Sequence, residues 1–183
     1  MVLQDLFKKK TLSDYVTYVA ILVAGVVIDQ ITKWLAIKYL MPIGSVPLIS
    51  FGDVQVLNLT YVENTGAAFG MLKNAPWVFN TVSVVAIIVM LGYLFLGHAD
   101  SKLAGIAISM FVSGGIGNMI DRATLHYVVD FIDFRLIQFA VFNGADSFVC
   151  VGAGLLVLAL CLEIKEEKKK AQASADNSEV DAQ

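Results

Sequence analysis

The chain has 183 residues, of which 57% are hydrophobic and 16% charged, with a mean hydropathy of +0.72 and a formal net charge of −3. Stretches such as 74–97 carry no charge at all, so a water-soluble fold is excluded and lipid is the solvent for much of the surface. The basic residues fall in short runs near the two termini rather than in one patch, which argues against a nucleic-acid partner.

In chain order, Lys8, Lys9 and Lys10 precede an apolar run from Tyr15 to Ile28 that superficially resembles a signal peptide. No small-x-small cleavage site follows, so the run is expected as an uncleaved first span over about 15–40, entered through the capping box Thr11-Leu-Ser-Asp14. Loop 41–74 carries a strand signal at Val54–Val62, between Gly52 and Asn64. A second span is expected over about 75–96, with Asn74 and Pro76 at helix-start positions and Trp77 at a membrane interface. The third, about 103–120, holds Ser113-Gly-Gly-Ile-Gly117, small residues that let a neighbouring backbone approach. After loop 121–144 comes a fourth span over about 145–164. The sequence reads as a membrane domain over 1–166 and a polar, solvated, disordered tail over 167–183. Cys150 and Cys161 lie in the last apolar run without metal-ligand or disulfide spacing and read as small buried hydrophobes.

Lys8 to Lys10 and the cluster Lys165 to Lys170 flank span ends, so the positive-inside rule places both termini in the cytoplasm and the two long loops outside. At about 1.5 Å per residue, Asp29 lies roughly 21 Å and Lys33 roughly 27 Å above Tyr15, in the outer leaflet of a core about 30 Å thick. The two form an i,i+4 pair inside a continuing apolar helix, where a lone charge would cost a few kcal/mol. Asn64, Asn118, Asp121, Arg122, Asp130, Asn143 and Asp146 fall at the same level, while the inner part of every span is bland. Charges at span ends such as Asp121, Asp133 and Arg135 are equally at home there for solvation alone, and Arg122 suits a helix C-terminus. His98 and His126 lack ligand partners and no His-Glu-x-x-His is present, so neither a metal nor another cofactor is expected.

Asp130 and Asp146 frame a loop whose ends return to one leaflet. Two carboxylates brought close in a partly desolvated site share a proton, one acting as base and the other as acid, which is the logic of an aspartic protease.

The segments Asp29-Gln-Ile-Thr-Lys33, Glu63-Asn-Thr-Gly-Ala-Ala-Phe-Gly70, Gly114-Gly-Ile-Gly-Asn-Met-Ile-Asp-Arg122, Val128-Val-Asp-Phe131 and Phe142-Asn-Gly-Ala-Asp146 resemble, in order and spacing, the lipoprotein signal peptidases (signal peptidase II) of bacteria. The resemblance implies an integral membrane, mainly α fold: four transmembrane helices with a small extracytoplasmic β-cradle. It implies an endopeptidase of the cytoplasmic (inner) membrane that cleaves prolipoproteins just before the diacylglyceryl-modified cysteine. By the same resemblance Asp130 and Asp146 are the catalytic dyad. Asn64, Gly66, Ala68, Gly114, Asn118, Arg122, Asn143 and Ala145 form the supporting shell, and Asp29 and Lys33 match the family's first motif. The expected partners are diacylglyceryl prolipoproteins and membrane lipid, with the protein a monomer. Two positions depart from the family pattern: His126 stands where a glycine is expected, and Gly144 where valine or another apolar residue is usual. The competing reading is a small ion-coupled carrier using the acidic residues as a relay. A carrier would place its groups near the midplane between repeated halves; the chain shows no internal repeat, and its polar cluster lies at one end.

Overall fold

The computed structural model describes residues 10–66, 76–96, 101–137 and 139–180. Helix α1, Leu12–Leu35, starts at the expected capping box: the Thr11 amide donates to Asp14 Oδ2 at 2.7 Å and the Asp14 amide to Thr11 Oγ1 at 3.3 Å. It ends in a π-helical turn, Ala36–Leu40, whose wider winding buries Ala36 and leaves Tyr39 exposed. Two strands follow, β1 Ser45–Phe51 and β2 Val54–Asn64, paired antiparallel around Gly52, which adopts φ +59°. Helix α2 spans Pro76–Phe95 with proline at its first position, as expected. Helix α3 spans Lys102–Thr124 and leads into β3, Val128–Phe134, which pairs antiparallel with β2 in a sheet of order β1-β2-β3. Only β2 was legible as a strand in the sequence. β3 is buried through Val128, Val129 and Asp130 and lacks the exposed alternation that would have marked it.

Helix α4 spans Gly144–Val180. The tail expected to be disordered from residue 167 is, up to residue 180, a continuation of this helix: Ala, Glu, Lys and Gln after Ile164 are helix formers, and neither glycine nor proline interrupts them.

Among the described residues, three helices are long and apolar enough to cross a membrane: Leu12–Leu40, Lys102–Thr124 and Gly144–Gln172. Asn80–Phe95 is apolar but shorter. Their outer faces carry exposed Val16, Val23, Val27, Ile31, Val157 and Leu158, so large apolar side chains point away from the protein. Cys150 and Cys161 are exposed rather than buried, Cys150 on the wall of the cavity described below. In lipid an apolar side chain gains little by turning inward, so hydrophobicity alone does not place it in the core. Asn74 and the side chain of Trp77 lie outside what is described.

Helix α3 touches all three other helices. Gly114 allows a close approach, since a Cβ there would collide with the carbonyl of Ala145 and with Val149 on α4. Replacing Gly114 with valine is expected to destabilise the protein by about 1–3 kcal/mol through overpacking. Gly154→Ala, where nothing lies within 4 Å, should leave it as stable or slightly more so. Thermal unfolding in detergent distinguishes the two.

Candidate active site

The polar residues converge at one end of the bundle, where α1 and α3 finish, α4 begins and β2 and β3 lie across them. Lys33 is their hub. Only 2% exposed, its ammonium places Nζ 2.9 Å from Asp29 Oδ2, 2.9 Å from Asp121 Oδ2 and 2.8 Å from Asn118 Oδ1. An ammonium has three protons, and here each has an acceptor. The carboxylates in turn reach other elements: Asp29 Oδ1 accepts the Ala145 amide at 2.9 Å, and Asp121 Oδ2 accepts the Val129 amide at 3.0 Å. Gln30 Nε2 reaches Asp121 Oδ1 at 3.0 Å, the Gly117 carbonyl at 3.2 Å and Asp29 Oδ2 at 3.3 Å. Gly117 makes room for the Asp29 carboxylate, which a Cβ would strike. One ion cluster thereby ties α1 to α3, β3 and the start of α4.

Asn118 passes this order on. Its Nδ2 donates to Asp146 Oδ1 at 2.8 Å. Asn143, fully buried, joins both candidate aspartates: its Nδ2 donates to Asp130 Oδ1 at 2.7 Å, its backbone amide to Asp146 Oδ2 at 3.1 Å, and its Oδ1 accepts the Asp146 amide at 2.9 Å. Asn64, diagonal to Asp130 across the β2/β3 pairing, donates from Nδ2 to Asp130 Oδ2 at 2.8 Å, and its Oδ1 accepts the Gly66 amide at 3.0 Å. All four oxygens of Asp130 and Asp146 therefore have a protein donor. Burial pushes the Asp130 carboxyl up to about 6; the negative charge of Asp146 acts the same way, against the hydrogen bonds from Asn64 and Asn143 and the charge of Lys33. Arg122 lies close enough for its charge to act on Asp146, Asp130 and Asp121.

Asn64, Asn118, Arg122, Asp130 and Asp146 form the polar side of a cavity of about 660 Å³, whose remaining wall includes Phe134, Ile137, Phe139, Val141 and Phe142. Phe142 stacks on Phe134 at 5.9 Å and meets Phe139 edge-on at 5.7 Å. The site is thus half carboxylate and amide, half hydrocarbon. Among the described residues no cluster of His, Cys, Asp and Glu could hold a metal ion.

Of the residues singled out from sequence, Asp29, Lys33, Asn64, Gly66, Asn118, Arg122, Asp130, Asn143, Ala145 and Asp146 meet here; Gly114 serves helix packing one turn below, and Ala68 lies outside what is described. Asp29 and Lys33 touch neither Asp130 nor Asp146 directly. The sequence reading assigned no role to Gln30, whose partner Asp121 is 91 residues away, nor to the aromatic wall. The two departures from the family pattern lie in described backbone. His126 has φ 70°, a left-handed conformation that suits glycine. At Gly144 a Cβ would meet only ordinary contacts, 3.6 Å from Asp29 Oδ1 and 3.8 Å from Thr32 Oγ1.

Lys33→Met would leave two buried carboxylates without their cation, and a loss of about 3–5 kcal/mol is expected in detergent unfolding. Lys33→Met/Asp121→Asn, which preserves the cluster's net charge, should recover most of it.

The family model for signal peptidase (SPase) II matches residues 21–162. The lipoprotein signal peptidase of Caldanaerobacter subterraneus subsp. tengcongensis is 51% identical over 137 residues, covering 74% of this chain and 90% of that protein. That of Brevibacillus brevis is 41% identical over 150 residues, covering 80% and 97%. A solved structure described as a bacterial membrane enzyme, obtained by the in meso method at 2.3 Å, superposes with a TM-score of 0.74 at 32% identity, covering 88% of this chain and 95% of its own. With more than half of its length matched by the family model and close relatives covered nearly end to end, the chain belongs to the signal peptidase II family.

Proposed function

We propose that this signal peptidase cleaves prolipoproteins with Asp130 and Asp146 as its acid and base, at the bond preceding the diacylglyceryl-modified cysteine. The observation that carries the reading is that one buried asparagine bridges two carboxylates which line the polar side of an otherwise apolar cavity. A pair holding one proton between them can take a proton from water and give one to an amide carbonyl, with no covalent intermediate. Asn64, Asn118 and Asn143 aim and hold the carboxylates, Gly66 orients Asn64, and Arg122 offsets the negative charge of the pair. Ala68 is carried with them on the family resemblance alone.

We place the chain in the bacterial cytoplasmic membrane as a monomer with four spans over about 15–40, 75–96, 103–120 and 145–164, forming the domain 1–166. Both termini are cytoplasmic, and the sheet is an extracytoplasmic β-cradle. Lysine runs at both ends support that orientation, and the apolar helix Asn80–Phe95 supports the fourth span. Membrane lipid surrounds the exposed apolar faces, and nucleic acid has no part. The carrier reading finds no support: the family is a peptidase family, and the polar cluster sits at one end of the bundle.

Asp130→Asn and Asp146→Asn are each expected to lower kcat by a factor of about 10² to 10⁴ while the protein stays folded, because the amide keeps the volume but cannot exchange the proton. Turnover of a diacylated precursor peptide in detergent checks this, and near wild-type rates in either variant would refute the dyad.

The lipid on the substrate should set geometry as well as affinity. A signal peptide already spans the bilayer, so its acyl chains, at roughly 0.8 kcal/mol per buried CH₂, are not needed to retain it there; they fix the depth of the scissile bond. A precursor lacking the diacylglyceryl group is expected to be cleaved at least about tenfold more slowly in the same micelles, with the loss in kcat as well as KM. Equal rates for the two precursors would show that the lipid is not read.

A further inference from the structure

We infer that in the resting enzyme the single proton of the pair sits on Asp130, that Asp146 is the base that activates water, and that Lys33 is the positioning residue that holds this assignment through Asn118. The inference rests on the reading of Asp130 and Asp146 as the catalytic pair and distributes their roles.

Asp146 is the third residue of α4, and Asn143 stands immediately before that helix. The reciprocal bonds between them, Asp146 amide to Asn143 Oδ1 at 2.9 Å and Asn143 amide to Asp146 Oδ2 at 3.1 Å, form a capping box. The Asp146 carboxylate therefore sits at the positive end of a helix and accepts an otherwise orphaned backbone donor. Its other oxygen accepts Asn118 Nδ2. The orientation of that amide is forced, because Asn118 Oδ1 receives Lys33 Nζ at 2.8 Å and Asn143 Nδ2 at 3.1 Å, two groups that can only donate. An ammonium on the carbonyl end of an amide polarises it and strengthens the N–H at the other end. Lys33 thus reaches Asp146 without touching it.

Asp130 has neither the helix N-terminus nor the backbone donor, although the charge of Lys33 acts on it too. It lies within β3, is 1% exposed, and its oxygens receive neutral amide donors from Asn64 and Asn143. The charged groups acting on it are Lys33 from α1, Arg122 from α3 and Asp146 from α4. Its raised titration, near 6, agrees with the geometric argument.

In the reaction, the Asp146 carboxylate removes a proton from water as the water oxygen bonds to the scissile carbonyl carbon, and Asp130 gives its proton to the carbonyl oxygen. The product is a neutral gem-diol, with Asp130 now ionised and Asp146 protonated. On collapse, Asp130 takes a proton from a diol hydroxyl and Asp146 protonates the departing nitrogen as the C–N bond breaks. Acid and amine products leave, and each aspartate returns to its starting state.

Infrared difference spectroscopy of the purified protein at pH 5 tests the assignment through the C=O stretch of a protonated carboxyl group. The band is expected to disappear in Asp130→Asn and persist in Asp146→Asn; the reverse, or a band unchanged in both, overturns the proposal. This readout needs no turnover, so it is separable from the dyad itself, which fails only if either asparagine variant remains active. The role of Lys33 is tested with Lys33→Met/Asp121→Asn. In the wild type kcat/KM should fall as pH rises through about 6, where Asp130 loses its proton. In the double variant the pH dependence of kcat/KM should change shape on its acid side, with KM nearly unchanged. A uniform fall at every pH with unmoved limbs would make Lys33 structural only and overturn its part. Should the double variant not fold, the infrared assignment decides on its own.

Discussion

The arrangement depends on one buried cation. Lys33 sits at the end of an apolar helix with almost no exposure, and removing an ammonium and two carboxylates from water costs several kcal/mol per ion. That cost is offset only if every proton of Lys33 and the oxygens of Asp29 and Asp121 find partners together. The partners come from different elements: Asn118 on α3, the Val129 amide in β3, the Ala145 amide at the start of α4. A slip of any element would leave a buried charge without its counterpart, so the cluster acts as a registration device for that end of the fold rather than as a source of net stability.

The proposed dyad inherits its order from that device. Asn118 and Asn143 are the two links between the ion cluster and the aspartates, and both are buried where water cannot compete for their amides. Along the opposite wall the aromatic residues keep the cavity apolar, which strengthens the electrostatic interactions inside it. On the proposed reading, the polar wall holds the catalytic pair and the hydrocarbon wall faces the signal peptide or its lipid.

Elsewhere the packing follows the rules of a protein whose solvent is lipid. Large apolar side chains on α1 and α4 face outward, and the contacts between helices rely on small residues such as Gly114, where helix backbones approach within the space of a missing Cβ. With no hydrophobic gain from turning Leu or Val inward, close contact and polar satisfaction decide how the helices pair.

The sequence by itself determined what local rules reach: the apolar stretches, the capping box at Thr11, the Asp29–Lys33 pair four residues apart on one helix face, and the collection of polar residues at one level. The five motif segments were legible for the same reason, since each is a short run. What lay beyond about one helical turn was decided by the tertiary structure. β1 and β3 become strands through their pairing with β2, Gln30 finds Asp121 at a separation of 91 residues, and Asp29 receives the amide of Ala145 across 116. The same limit explains the misplaced cysteines, because which face of α4 meets α3 is a property of their packing and not of apolar character. Hydropathy says that a residue avoids water; in a membrane, only the neighbouring helix settles whether it meets protein or lipid.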